Sequence, residues 1–227
     1  MKKLFILMPF LAFCKLYSQT QVIDSPLKHQ IGVNANLFIK QFLNFNGANP
    51  TANNPYLLQY KYLFNPKLAL RTGIGFNSTK SEEKDVNLKI ERTNSLFDYR
   101  IGLEIRKHIH KKWLMFGGLD LTYNNNGNRN KSTSVFDDGF NPPSTVITEV
   151  KNNTNLYGLG AVYGIEFSLN AHIKLLTETT VNVEMGKRSS SSSTSGSSFP
   201  VTPINRTTKL TNVNFTLPSF LVFVMSF

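Results

Sequence analysis

Four histidines, His29, His108, His110 and His172, are the side chains in this sequence able to take or give a proton near neutral pH. Hydrolysis or acyl transfer would need one of them beside a serine or an acid. The serines are densest from Ser189 to Ser198, and no histidine lies near that run. His108 and His110 alternate along the chain and could share one strand face, but a metal site needs further ligands. Lys107, Lys111 and Lys112 surround them, so a basic turn is the simpler reading. There is no cysteine pair, no phosphate-binding Gly-Lys loop and no dinucleotide fingerprint. The expectation is a protein that is not an enzyme, with no catalytic, cofactor-binding or metal residues and no cofactor.

A second set of residues is richer in chemistry. Lys40, Lys61, Arg71, Arg100, Arg106 and Lys174 match Asp98, Glu104, Asp120, Glu166, Glu178 and Glu184 in number. Each sits at an alternate position within an otherwise apolar stretch. The question is what element could gather twelve charges on one side.

The clearest such element is "FDYRIGLEIR". Phe97, Tyr99, Ile101, Leu103 and Ile105 occupy one face; Asp98, Arg100, Gly102, Glu104 and Arg106 occupy the other. Strict period-two alternation defines a strand with two chemically opposite faces. The pattern recurs in "QIGVNANLFIK", "YLLQYKYLF", "LALRTGIGF", "WLMFGGLDLTY", "YGLGAVYGIEFSL", "IKLLTETTVNVEM" and a last strand, "LTNVNFTLPSFLVFVMSF". These make eight strands of about nine to thirteen residues, the length of a tilted membrane strand. The links alternate. Those around "NPK", "KHIHKK" and "NAH" are short. "LNFNGANPTANN", "NSTKSEEKDVNLKIERT", the stretch from Asn124 to Asn155 and "KRSSSSSTSGSSFPVTPINRT" are long. Membrane barrels sort their connections in this way, with tight turns on one rim and long loops on the other. The Ser-rich run reads as flexible linker within the fourth long loop.

The expected fold is all-β: an eight-stranded antiparallel up-and-down transmembrane β-barrel. Its apolar faces meet lipid and its charged faces fill a narrow lumen. Tyr56, Phe76, Phe97, Tyr123 and Tyr157 would form the outer aromatic girdle, and Tyr62, Trp113, Phe167 and Phe227 the inner one. Gly73, Gly75, Gly102, Gly118, Gly158, Gly160 and Gly164 point inward and would make room for the long charged chains. A balanced, ion-paired lumen should not conduct. All four histidines fall near the periplasmic rim, away from the outer leaflet.

The chain has 227 residues, 41% hydrophobic and 12% aromatic, too apolar for a disordered protein. It begins "MKKLFILMPFLAFCKLYSQTQ", with a basic start, a short apolar core and a small residue, Ser18, before Gln19. Residues 1–18 read as a secretory signal peptide and residues 19–227 as the barrel domain. Cys14, the one cysteine, lies in that signal, so no disulfide framework is expected. Losing Lys2, Lys3 and Lys15 takes the formal charge from +11 to +8. In an exported protein that balance suits anionic lipid or polysaccharide, with no nucleic acid partner.

The export signal, alternating strands, sorted links and terminal Phe227 resemble the small outer-membrane β-barrel proteins. They look most like OmpA/OmpX-type barrels and the PorT-like barrel proteins of Bacteroidota. Leu221, Phe223, Met225 and Phe227 are similar to the closing strand that the barrel-insertion machinery reads. The resemblance implies location in the outer membrane, among lipid and lipopolysaccharide, with envelope partners at the outer loops. The function it implies is a non-enzymatic structural, adhesion or surface-interaction barrel. The PorT-like likeness implies, alternatively, a subunit of a secretion or assembly apparatus. A soluble lipocalin-like carrier is the remaining alternative; it would bury the apolar face and expose the charged one.

Overall fold

The computed structural model describes residues 27–35, 57–136, 144–196, 203–216 and 221–227. The signal peptide, Leu37, Ile39, Lys40, the link "LNFNGANPTANN", Tyr56 and the segment Leu217–Phe220 lie outside the described residues.

The chain forms β1 (His29–Asn34), β2 (Leu58–Asn65), β3 (Leu68–Lys84), β4 (Leu88–His110), β5 (Trp113–Phe136), β6 (Ser144–Ser168), β7 (Ile173–Gly196), β8 (Ile204–Thr216) and β9 (Val222–Ser226). Every pairing is antiparallel between sequence neighbours, except that β9 pairs with both β7 and β1. That pairing closes the sheet into a ring. β8 and β9 lie along the same edge of β7, so they are two stretches of one eighth strand. The barrel therefore has eight strands. Closure pairs the first strand with the last, which is what lipid requires of a sheet.

The last strand is not the single run expected from Leu210 onward. Leu176 faces Val222 and Thr180 faces Thr216: four steps along β7 match six along its neighbour. The surplus is even, so the interruption preserves the faces. Thr216 and Val222 are both buried, while Phe215 and Phe223 are both exposed.

The strands are also much longer than expected. β4 has 23 residues, β5 24, β6 25 and β7 24, against the nine to thirteen predicted. The described parts of the second, third and fourth stretches expected to be long outer loops are sheet. "NSTKSEEKDVNLKIERT" is a hairpin in which Asn77–Lys84 pairs with Lys89–Leu96 around a turn at Asp85–Asn87. The Ser-rich run is not flexible linker: β7 continues to Gly196, with Ser189 facing Asn153 on one side and Thr207 on the other. The cause is templating. Each strand leaving the barrel already has a paired neighbour in register, so its amides find partners without an apolar face. Side chains reinforce the ladder: Asn128 donates to Asn94 at 2.5 Å, and Asn125 donates to Asn155 at 2.5 Å and to Asn153 at 3.2 Å. The predicted short turns stand as expected, at Pro66–Lys67, Lys111–Lys112 and Asn170–His172.

Candidate functional site

The barrel wall carries its polarity reversed relative to a soluble protein. Leu103, Leu119, Leu121, Leu159, Val213 and Met225 face outward and exposed, whereas Arg71, Arg100, Glu104, Glu166 and Glu178 are buried. Rings bound the apolar belt. Phe97 lies 6.3 Å from Tyr123, which lies 5.0 Å from Tyr157, on the outer side. Trp113 lies 4.6 Å from Phe167 on the inner side, and Phe227 stacks on His29 at 5.7 Å. Phe64, which the sequence reading did not assign to the inner girdle, joins it edge-on to Tyr62 at 5.3 Å. Such an exterior is energetically sound only against hydrocarbon.

Inside, the charges form one connected chain. Lys174 pairs with Glu166 at 2.9 Å, and Glu166 with Arg106 at 3.0 Å. Arg106 reaches Glu104 at 3.3 Å, and Glu104 holds Lys61 at 2.7 Å. Arg71 touches Glu104 and Asp120, both at 3.4 Å, and Glu178 at 2.7 Å. Glu178 also accepts from Arg100 at 2.6 Å. Of the expected twelve, Lys40 lies outside the described residues. Asp98 and Glu184 sit in a separate polar layer: Asn124 donates to Asp98 at 2.5 Å, and Asn214 donates to Glu184 at 3.2 Å. Only desolvated, paired charges are tolerable at this depth.

Cross-strand register explains how these chains fit. Arg71 faces Gly102, and Asp98 and Arg100 face Gly75 and Gly73. Glu104 faces Gly118, and Gly102 faces Asp120. Asp120 in turn faces Gly160. Glu178 faces Gly164, and Glu184 faces Gly158. A long charged side chain on one strand therefore lies across the space a neighbour's missing side chain leaves. Among the glycines that face these charges Gly102 is the tightest case: a Cβ there would strike the Leu119 carbonyl oxygen and Asp120 Oδ1. Below the ion pairs, an apolar cluster of Leu114, Phe116, Val162, Leu176, Val222 and Val224 closes the lumen. The inward positions expected from the sequence did not include Leu114, Val162 and Leu176. Strand parity was the signal that could have found them. Lys61 lies over the Phe116 ring, 4.2 Å from its centroid, joining the two layers.

The histidines do not converge. His29 is hydrogen-bonded to Tyr60 Oη at 2.8 Å, and His172 Nδ1 lies 3.1 Å from the Ser226 carbonyl oxygen. His108 and His110 are exposed at a register shift before the Lys111–Lys112 turn. Among the described residues no cluster of three His, Cys, Asp or Glu could hold a metal ion.

The outer sheet is the remaining candidate surface. The β3–β4 hairpin is charge-balanced: Glu82 meets Lys84 at 3.1 Å and Lys89 at 3.3 Å, and Glu91 meets Lys89 at 2.5 Å. Hydrogen bonds from Lys84 and Lys89 hold the Glu82 carboxyl below the usual carboxylate range, and Lys89 does the same for Glu91. On the outward face of β5–β8 the balance is lost. Arg129, Lys131, Lys151, Lys187 and Lys209 accompany one carboxylate, Glu149. Glu149 is engaged by Arg129 and by Lys151, the latter at 3.2 Å.

No family model matches the chain, and no curated protein matches it. Among solved structures, the chain is similar to CarO of Acinetobacter baumannii, at 11% identity and a TM-score of 0.42, over 92% of this chain and 100% of that one. It is also similar to A. baumannii CarO2, at 11% identity and a TM-score of 0.38, over 88% of this chain and 97% of that one. Both likenesses are remote, and the functional reading rests on this chain's own residues.

Proposed function

We propose that this chain is an integral outer-membrane protein in which a closed, plugged barrel anchors a rigid outer sheet, and that the sheet carries the role: surface interaction without an enzymatic step. The observation that supports this reading is the reversed polarity. Exposed leucines and valines surround arginines and glutamates with almost no exposure. A soluble carrier would need the opposite arrangement. The lumen has two stacked closures, the ion-pair chain and the apolar cluster beneath it. An interior of eight strands is only wide enough for side chains to fill.

The test has three readings. The chain should resist extraction from membranes by urea and migrate differently on gels when heated; release by urea would overturn the membrane assignment. The reconstituted protein should give no stable ohmic steps in planar bilayers; large, long-lived steps would overturn the plug. Lipid A from a deletion strain should have an unchanged mass spectrum; altered acylation would overturn the non-enzymatic reading.

A further inference from the structure

Two lysines face each other on the outer sheet. Lys187 of β7 is directly opposite Lys209 of β8. Both are exposed and share the outward face with Met185 and Val213, exposed members of the lipid-facing belt. Lys187 is two residues beyond Met185, about 7 Å along the strand. It therefore stands at the level where hydrocarbon gives way to headgroups, just past the Tyr157–Tyr123 ring pair.

Like charges directly opposed across a sheet are destabilising. The chain contains an internal comparison. Lys84 and Lys89 also face each other, at the tip of the β3–β4 hairpin. There Glu82 and Glu91 compensate them at 2.5 to 3.3 Å. Among the described residues no carboxylate lies within ion-pair distance of Lys187 or Lys209. The nearest acidic position along β7, Glu184, is turned into the lumen and engaged by Thr122 and Asn214. The pair thus sets two positive charges side by side at headgroup height.

What lies beyond the lysines describes the rest of that ligand. A shallow cleft of about 270 Å³ opens on β6, β7 and β8. Its lining includes Lys151, Asn153, Ser189, Ser191, Asn205 and Thr207. The cleft's residues carry hydroxyls and amides together with two cations, Lys151 and Arg206, and these groups suit a sugar's hydroxyl and amide groups. Acyl chains would lie along the exposed Val183, Val213 and Phe215 below. From belt to sheet tip the order is apolar wall, paired cations, polar cleft. A glycolipid presents acyl chain, phosphate and sugar in that same order.

We infer that Lys187 and Lys209 bind a phosphate on the headgroup of an outer-leaflet glycolipid, and that the cleft above them receives its sugar. The inference rests on the outer-membrane reading. It makes the β6–β8 side of the sheet a lipid-docking face and leaves the charge-balanced β3–β4 hairpin free of that role.

The test uses the full chain folded in detergent, with bisphosphorylated lipid A, its dephosphorylated form and phosphatidylglycerol as probes, and native mass spectrometry as the readout. Wild type should retain bisphosphorylated lipid A. K187Q/K209Q should bind it about tenfold less tightly, the scale of losing a charge-assisted contact. K187R/K209R should keep binding, and K84Q/K89Q, which removes the compensated pair, should leave it unchanged. S191D/N205D, which places carboxylates in the cleft, should weaken lipid A but not phosphatidylglycerol. Unchanged binding by K187Q/K209Q, equal retention of dephosphorylated lipid A, or mole-for-mole competition by phosphatidylglycerol would each overturn the assignment. Heat-modifiable migration of every variant separates the two claims. A folded barrel that does not select lipid A defeats this inference alone, whereas a wild-type chain that urea strips from membranes defeats the outer-membrane reading itself.

Discussion

Glu178→Gln removes the carboxylate at the junction of the lumen network. Glu178 accepts from Arg71 at 2.7 Å and from Arg100 at 2.6 Å, and the three side chains are 0 to 1% exposed. Each such contact to a charged group contributes about 1.5–3 kcal/mol. The replacement amide also turns N–H donors towards guanidinium groups that need acceptors. Partial compensation remains, because Arg71 keeps Glu104 and Asp120 at 3.4 Å and Arg100 keeps Asp120 at 3.6 Å. The expected loss is thus about 3 kcal/mol, the lower end for breaking a buried ion pair. Reversible urea unfolding in lipid vesicles, followed by tryptophan fluorescence of Trp113 and by gel migration, would measure it. Glu178→Gln combined with Arg100→Met should recover part of the loss, since the second change removes an uncompensated charge. A Glu178→Gln variant within about 1 kcal/mol of wild type, the range of exposed pairs, would refute the claim that these charges are desolvated and coupled.

Three further outcomes follow from the same geometry. Phe227→Asp should impair membrane insertion because it puts a charge where the exposed Phe227 ring stacks on His29, and deletion of Phe227 should do so because it removes the backbone hydrogen bonds with His29 at 2.9 and 3.0 Å where the ring closes; normal membrane levels of either variant would count against this. Gly164→Ala should destabilise the barrel by about 2 kcal/mol or more, since its Cβ would meet the Phe116 ring and the Thr177 carbonyl oxygen at 2.6 Å; Gly117→Ala, whose nearest contact is 3.6 Å, should be close to neutral in the same unfolding assay. The β3–β4 tip should loosen in acid. Lysine hydrogen bonds lower the folded-state values of Glu82 and Glu91, so their stabilisation is complete above the ordinary glutamate value of about 4.3 and is lost as pH falls through the lowered one. Hydrogen exchange at Asp85–Leu88, corrected for intrinsic rate, should accelerate across that window; protection unchanged by acid would contradict it.

How much was legible beforehand depended on whether a segment's faces differed. "FDYRIGLEIR" sets aromatics and aliphatics against charges, and its inward and outward sides are as the alternation implied. The Asn124–Asn155 and Ser189–Ser198 stretches offered no such contrast. Asn, Ser and Gly favour turns locally, so they read as loops. The strand structure of their described residues comes from neighbours: Ser191 is a strand residue because Lys151 flanks it on one side and Asn205 on the other. Local propensity cannot report a pairing that depends on residues some forty positions away. The two-step slip between β8 and β9 was hidden for a related reason, because an even slip leaves the face pattern intact.

The sequence by itself determined the class of fold, the number of strands around the barrel, which side of each strand is apolar and which inward positions are charged or glycine. These are one-dimensional properties, set by a period of two and by the spacing of links. The tertiary structure alone decided the partners: that Arg71 lies across Gly102, that Glu178 holds two arginines, that Lys187 faces Lys209 while only the Lys84–Lys89 pair is compensated. Those facts depend on register between strands, and register is set by closure of the whole ring rather than by any one segment.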